Sequence, residues 1–384
     1  MKLLKLTAEG LPLFKDKLEL TFFAKQRVGE SDAMRLHYLF SNIYLNTSTA
    51  FIGINASGKT SILKVILLSL KLLNNEPINY ISSKDILGES DRTVLNLYFY
   101  SAISQEVCRL ETIICSNKDS TKGITYKIFS EKLWSKKINE ISSKKTLLNF
   151  NDKDPVMIRD GKQSFLLDDV SIMISYNKEN EESIKIFDIL DYTNVNILTK
   201  LDTIPMEIVT YLDPTIEKIY FDSADNNALI HLKFKGKEEM ILNSALDLNN
   251  YLSSGTVKGI ITFTLVQQVL LTGGYLVIDV IENHFNKEIV STIIRLFLDC
   301  KLNKNGGCLI FTTHYPELLD EYDRNDSIYF VRNRQGIIAS NLSDILNRND
   351  LKRSEVYQSG YLEGTVPMYD SYIKLKKSIA QATE

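Results

Sequence analysis

Gly53-Ile54-Asn55-Ala56-Ser57-Gly58-Lys59-Thr60 fits the pattern G-x-x-x-x-G-K-[ST] at every specified position. An apolar stretch, Thr49–Ile54, leads into it and reads as a buried strand. From Lys59 to about Leu73 the chain reads as a helix, with Ile62, Leu63, Ile66, Leu67, Leu70 and Leu73 on one face and Pro77 just beyond its end. The order strand, glycine loop, helix is what a phosphate cradle needs. Glycine lets successive backbone N–H groups curl around phosphate oxygens, and the helix N-terminus adds partial positive charge. The candidate cradle is Gly53, Asn55, Ala56, Ser57, Gly58 and Ser61. Lys59 reaches the β- and γ-phosphates, and the Thr60 hydroxyl ligates Mg²⁺.

Further along, Tyr275-Leu276-Val277-Ile278-Asp279 is an apolar strand ending in an acid, which delivers Asp279 to the sheet edge where ligands bind and where it can hold Mg²⁺ with Thr60. Leu252-Ser253-Ser254-Gly255-Thr256 opens a helix about 20 residues earlier, with Ser253, Ser254 and Gly255 placed to meet an anion. Leu309-Ile310-Phe311-Thr312-Thr313-His314 is a strand with a histidine at its tip. From Gly255 onward the pattern alternates helix, strand (Tyr275–Ile278), helix (Lys287–Leu302), strand (Cys308–Thr312), helix, strand (Ser327–Arg332), which predicts a mostly parallel α/β sheet.

Taken in this order, the four elements resemble the phosphate loop, signature, acidic strand and switch histidine of ABC-type ATPases. More narrowly, the chain resembles the RecF/OLD/SMC-like branch, in its compact bacterial members without a long coiled coil, many of them from anti-phage defence systems. The N-terminal strands, Tyr211-Leu212-Asp213-Pro214, Ile281-Glu282-Asn283-His284 and the tail around residues 357–367 fit that branch. The resemblance implies an α/β P-loop NTPase head with an N-terminal antiparallel β-subdomain and a helical/β insertion. Its lobes are expected at 1–115 and 205–384, with the insertion at 116–204. It also implies ATP and Mg²⁺ as ligands, His314 at the γ-phosphate, and Ser253–Gly255 of one copy capping the ATP of another in a homodimer or higher oligomer. The expected role is a nucleotide-gated sensor or scaffold that controls a separate effector in phage defence. The alternative is a RecF-like DNA-processing ATPase that clamps DNA when ATP binds.

One position departs from the family pattern. The residue after the strand aspartate is normally a glutamate that polarises the attacking water, and here it is Val280, which cannot take up a proton. Glu282, two residues on, is expected on the same side about 6–7 Å away if the chain stays extended. The expectation is therefore tight ATP binding with slow or absent turnover. Gln105, in a turn between two predicted strands (Thr93–Tyr100 and Glu106–Cys115), is a candidate for the family's missing glutamine, the preferred reading being a solvated turn residue.

Composition bounds the partners. Forty-five basic and 48 acidic residues leave a net charge of −3, so attraction to DNA or an anionic membrane needs a local patch. Lys127–Lys145 offers one, with six lysines around Trp134, and keeps nucleic acid open as a partner, though the preferred reading is the solvated face of a hairpin with Trp134 covering its base. Gly259–Ile278 is 20 residues without a formal charge, but its Gln267-Gln268 and Gly273-Gly274 predict helix, turn and strand rather than a membrane span. The four cysteines form no C-x-x-C pair and read as reduced, packed thiols in a cytoplasmic protein.

Overall fold

The strand Ser48–Ile52 that feeds the glycine loop is buried along its whole length and lies in the middle of a six-stranded sheet. The structure is a computed structural model and describes residues 1–119, 123–160, 166–190, 204–222, 229–346, 348, 351–360, 362 and 369–382. Across this sheet the order is Ile186–Asp188, Tyr275–Ile278, Cys308–Thr313, Ser48–Ile52, Ile328–Asn333 and Ile337–Asn341. The first five strands are parallel and the last is antiparallel. The C-terminal ends of the acidic strand, the histidine strand and the loop strand thus lie side by side, which is where ligands of open α/β sheets bind.

Alternation along the strands divides their side chains between two cores. Phe51, Val277, Ile310, Tyr329 and Val331 face the helix Lys59–Leu73 and the N-terminal sheet beyond it. Ala50, Ile52, Leu276, Ile278, Leu309 and Phe311 face the helix Lys287–Leu298 on the other side. The helix Lys59–Leu73 lies between two sheets, and eleven of its fifteen residues are buried. That is more than the single apolar stripe read from its sequence, because it packs on both sides. Tertiary burial at roughly 1.5–3 kcal/mol per large apolar side chain, rather than helix propensity, fixes it and the loop at its N-terminus.

The N-terminal sheet is antiparallel, in the order Leu18–Thr21, Lys2–Glu9, Thr93–Ser101, Glu106–Asp119, Gly123–Lys137 and Met157–Arg159. The junction expected after residue 115 falls inside the strand Glu106–Asp119, because Gly123–Lys137 pairs back along it. The first part of the expected insertion, as far as Arg159, thus adds strands to this sheet, while Ile186–Asp188 belongs to the parallel one. A third, three-stranded sheet (Ile216–Asp222, Leu229–Phe234, Met240–Leu242) closes a small core with the helix Met206–Leu212 and the start of the helix Ser254–Thr272. That second helix ends at Gly273 (φ 69°) before the strand Tyr275–Ile278, as the uncharged stretch predicted. Among the described residues no helix is long and apolar enough to cross a membrane.

One half-buried histidine should make the fold acid-sensitive. The ring of His37 packs against Gly306, where an added Cβ would come within 2.5 Å of it. Burial, with the Lys2 ammonium adding to it, pushes the imidazole down to about 4. The unfolded chain takes up this proton near pH 6.5 and the folded one only near 4, so stability falls as pH drops through that window. His37→Gln should lose less melting temperature than the wild type between pH 7 and 4.5. Equal losses by differential scanning fluorimetry would mean that His37 is not the group responsible.

Candidate functional site

The loop Gly53–Thr60 walls a cavity of about 470 Å³ that opens at the C-terminal edge of the parallel sheet. Two glycines are required by contact. At Gly53 a Cβ would stand 2.4 Å from the Val331 carbonyl oxygen, and at Gly58 (φ 99°) 2.4 Å from the Ile337 side chain. Ala56 also has positive φ, 59°, which turns the backbone between the two glycines. Asn55, Ala56, Ser57, Gly58, Lys59, Thr60 and Ser61 all line the cavity, and Asp279, Val280 and His314 line it from across the sheet edge.

Lys59 is folded onto its own loop. Its Nζ donates to the carbonyl oxygens of Gly53 (2.8 Å) and Ile54 (3.1 Å) and lies 3.4 Å from His314 Nδ1. Burial pushes its ammonium down to about 8, against the opposing pull of Asp279 and Glu282. His314 is likewise lowered, first by burial and then by the Lys59 charge, against the opposing pull of Glu282 and Asp279.

Asp279 is held from both sides. Thr60 Oγ1 donates to its Oδ2 (2.7 Å) and Thr312 Oγ1 to its Oδ1 (2.5 Å). A hydroxyl and a carboxylate in contact at the N-terminus of the loop helix form an all-oxygen donor pair of the kind Mg²⁺ prefers, so the residues present fit that ion.

Beyond Asp279 the chain does not stay extended. Val280 adopts φ 50°, its N–H donates to Thr312 Oγ1 (2.7 Å), and Asn283 N–H donates back to Val280 O (2.9 Å). Glu282 is therefore turned inward rather than displaced along a strand. It is 8% exposed, and its Oε1 accepts the backbone N–H of His314 (2.6 Å) while its Oε2 is buried without a hydrogen-bond partner. It lies behind the histidine and does not line the cavity.

The Ser253–Gly255 turn lies outside this cavity. Ser253 caps its helix by accepting from Thr256 N–H (3.0 Å). Ser254 Oγ is 3.1 Å from His284 Nδ1, and a Cβ on Gly255 would come within 2.7 Å of His284 O. The turn after the acidic strand and the signature turn are thus packed together. Leu212 packs against Gly259 of the same helix and Tyr211 edge-on against Phe263 (5.6 Å).

At two positions the structure agrees with the plainer of the two readings, a solvated turn residue at Gln105 and a covered hairpin base at Trp134. Gln105 sits exposed in the hairpin turn with φ 51° and does not line the cavity. Trp134 offers no stacking surface, since it is 3% exposed with the Arg109 guanidinium 4.6 Å over its ring. Around it Lys136 lies over Phe150 (4.3 Å), Lys137 pairs with Glu106 (2.9 Å) and Lys144 donates to Gln26 O (2.7 Å). Conversely, Leu13, Asn333 and Ile337 line the cavity and Thr312 positions Asp279, none of them singled out in the sequence. Thr312 was readable from its place two residues before His314, whereas Leu13 and Ile337 carry no local signal.

No curated protein matches the chain. Among solved structures, the SMC head domain from Thermotoga maritima matches with a TM-score of 0.41 and 13% identity, over 88% of this chain and 99% of that one. The model of one sequence family, described as AAA domain, putative AbiEii toxin, Type IV TA system, matches residues 48–320, from the strand before the glycine loop to the turn after His314. That span exceeds half of the chain and holds the glycine loop, the acidic strand and the histidine strand, so the protein belongs to this family of AAA-domain, nucleotide-binding ATPases.

Proposed function

We propose that this protein is an ATP-binding switch. Mg²⁺–ATP occupies the Gly53–Thr60 cavity of one copy, the Ser253–Gly255 turn of a second copy closes over it, and the closed pair controls a separate effector in defence against phage. The observation that carries the proposal is the separation of the two parts within one chain. The cavity is open and the signature turn does not line it, which supports a cap from that turn of another copy. The defence role draws on the family description, which includes a putative toxin of a type IV toxin–antitoxin system.

Each residue has a part in this reading. Lys59 leaves the carbonyls of Gly53 and Ile54 for the phosphates, whose negative charge restores its full protonation. The loop N–H groups hold the phosphate oxygens, and Thr60 and Asp279 hold Mg²⁺, which neutralises charge on the β- and γ-phosphates when bound. His314, kept in place by Glu282, contacts the γ-phosphate. No carboxylate stands at position 280, and Glu282 is committed to the His314 N–H, so water activation is weak and the ATP state lasts. A long-lived closed state suits a sensor or scaffold better than a motor. The DNA-clamping alternative has less support, because Trp134 is buried and Lys136 and Lys144 are tied to backbone carbonyls.

Two measurements test this. Light scattering should show the wild type shifting from monomer to dimer or larger on addition of Mg²⁺–ATP. Ser253→Arg should bind ATP normally yet stay monomeric; a wild type that remains monomeric at saturating nucleotide would sink the proposal. Wild-type hydrolysis should fall below about 1 s⁻¹, and Val280→Glu should raise it by roughly 10²- to 10⁴-fold, the usual effect of a placed general base. Unchanged turnover in that variant would show that the missing carboxylate is not what limits hydrolysis.

A further inference from the structure

We propose that the cleft between the segment Lys25–Arg27, the hairpin turn at Ser41-Asn42 and Lys144 is a second anion site, which binds the phosphate group of a small molecule. It shares no lining residue with the Gly53–Thr60 cavity, and it does not rest on the nucleotide reading of that cavity.

The cleft has a volume of about 520 Å³ and is lined by Lys25, Arg27, Ser41, Asn42, Tyr44 and Lys144; among the described residues no carboxylate lines it. Most of its polar groups are unengaged. Among the described residues, the Arg27 guanidinium, the Ser41 and Tyr44 hydroxyls and the Asn42 side-chain amide make no hydrogen bond or ion pair. Lys25 reaches out to Asp344 (2.5 Å). Lys144 donates to Gln26 O (2.7 Å) and more distantly to Lys25 O (3.4 Å), which leaves one of its three N–H groups. A guanidinium fork, two ammonium groups and hydroxyls around one space are the donor set that phosphate oxygens take.

Although the cationic segment is neither helix nor strand, its backbone is fixed by buried charge. Gln26 N–H donates to Asp326 Oδ2 (3.0 Å), and Arg324 donates to Gln26 O and Arg27 O (3.1 Å each) and to Asp32 Oδ2 (3.0 Å). Arg324 is 4% exposed and Asp326 fully buried. On the other wall, Ala24 N–H donates to Tyr44 O (2.8 Å) and ties the hairpin to the same segment. A buried ion pair is costly to desolvate, and here its hydrogen bonds hold exposed cations in place, as a preorganised site requires. Burial lowers the pKa of Lys144, the Arg324 charge adding to it and Asp326 opposing; an anion in the cleft relieves that cost. The positive charge is also local. Asp344 abuts Lys25, Glu30 and Asp32 follow Arg27 on the helix Glu30–Ala33, and the whole chain carries −3. A nucleic-acid strand needs a track of cations and would run over these acids, as would the further carboxylates of an acidic peptide. A compact phosphate meets the cleft alone.

The test is isothermal titration calorimetry of inorganic pyrophosphate, without Mg²⁺, into the full chain carrying Lys59→Ala, which disables the phosphate loop. ADP and a single-stranded DNA oligonucleotide are titrated in parallel. Pyrophosphate should bind saturably. Adding Arg27→Gln should weaken it about 10- to 100-fold, the usual effect of losing a charged hydrogen-bond donor. Adding Asp344→Asn instead, which releases Lys25 into the cleft, should strengthen it roughly 2- to 5-fold. ADP that binds like pyrophosphate, with the same dependence on Arg27, supports recognition of the phosphates alone, and tighter binding of ADP supports a nucleotide as their source. No binding of pyrophosphate, or binding unchanged in both variants, overturns the site and leaves the phosphate-loop reading standing, since that reading fails only if the wild type does not bind ATP. DNA binding that requires Arg27 and that pyrophosphate does not displace overturns the site in favour of a nucleic-acid surface.

Discussion

The carboxylate of Asp279, held by the hydroxyls of Thr60 and Thr312, is the interaction on which the rest of the site depends. It joins three elements distant in sequence: the N-terminus of the loop helix, the acidic strand and the histidine strand. Only the observed strand order allows it. Ile278 stands beside Phe311, and Thr312 beside Phe51, so the three C-terminal ends finish at one level. Hydrogen bonds to a charged group contribute about 1.5–3 kcal/mol each. Losing either threonine would also leave a partly buried carboxylate short of donors, so the register of the sheet and the chemistry of the cavity are one constraint.

From that anchor the chain makes a turn that organises everything else around the cavity. With its N–H on Thr312 Oγ1, Val280 directs the backbone back on itself, and the Ile281 N–H follows onto Thr312 O (3.0 Å). Glu282 comes to rest against the His314 N–H, which sets the histidine beside Lys59. Two residues later His284 meets Ser254 and Gly255. Six consecutive residues, Asp279 to His284, therefore connect the phosphate end of one cavity to the turn proposed to cap another. Along this link the N–H groups of Val280, Ile281 and Asn283 are all hydrogen-bonded.

What the sequence discloses, and what it conceals, follows from range of interaction. The glycine loop, its helix and the alternating pattern after Gly255 are local rules and were legible. The long strand Gly123–Lys137 carries no continuous alternation, and its pairing explains why. Ser130 pairs with Ile113 and Ile128 with Ile114, which leaves Phe129 as an extra residue. The buried positions switch phase there, from Tyr126 and Ile128 to Glu131 and Leu133. A period-two pattern breaks at such a bulge although the strand continues. Glu131 disguises it further, a buried acid held by Thr112, Ser171 and the Ile172 N–H. Leu13 and Ile337 were illegible for another reason: they meet across more than 300 residues of sequence, and nothing near either one announces the other.

Position 280 shows how backbone and side chain part company in this site. A left-handed conformation costs an L-residue about 1–2 kcal/mol, and branching at Cβ makes valine a poor choice for it. The conformation persists because Thr312, Asn283 and the packing of buried Ile281 determine it. Those partners are backbone groups, or lie beyond residue 280, so the turn does not depend on which side chain stands there. It serves Asp279 and Glu282, which valine leaves untouched. A valine at this point thus removes a proton acceptor from the cavity wall without dismantling the phosphate loop, the Asp279 tie or the contact with the signature turn. The geometry that holds Asp279 and places His314 is therefore separable from the side chain at position 280.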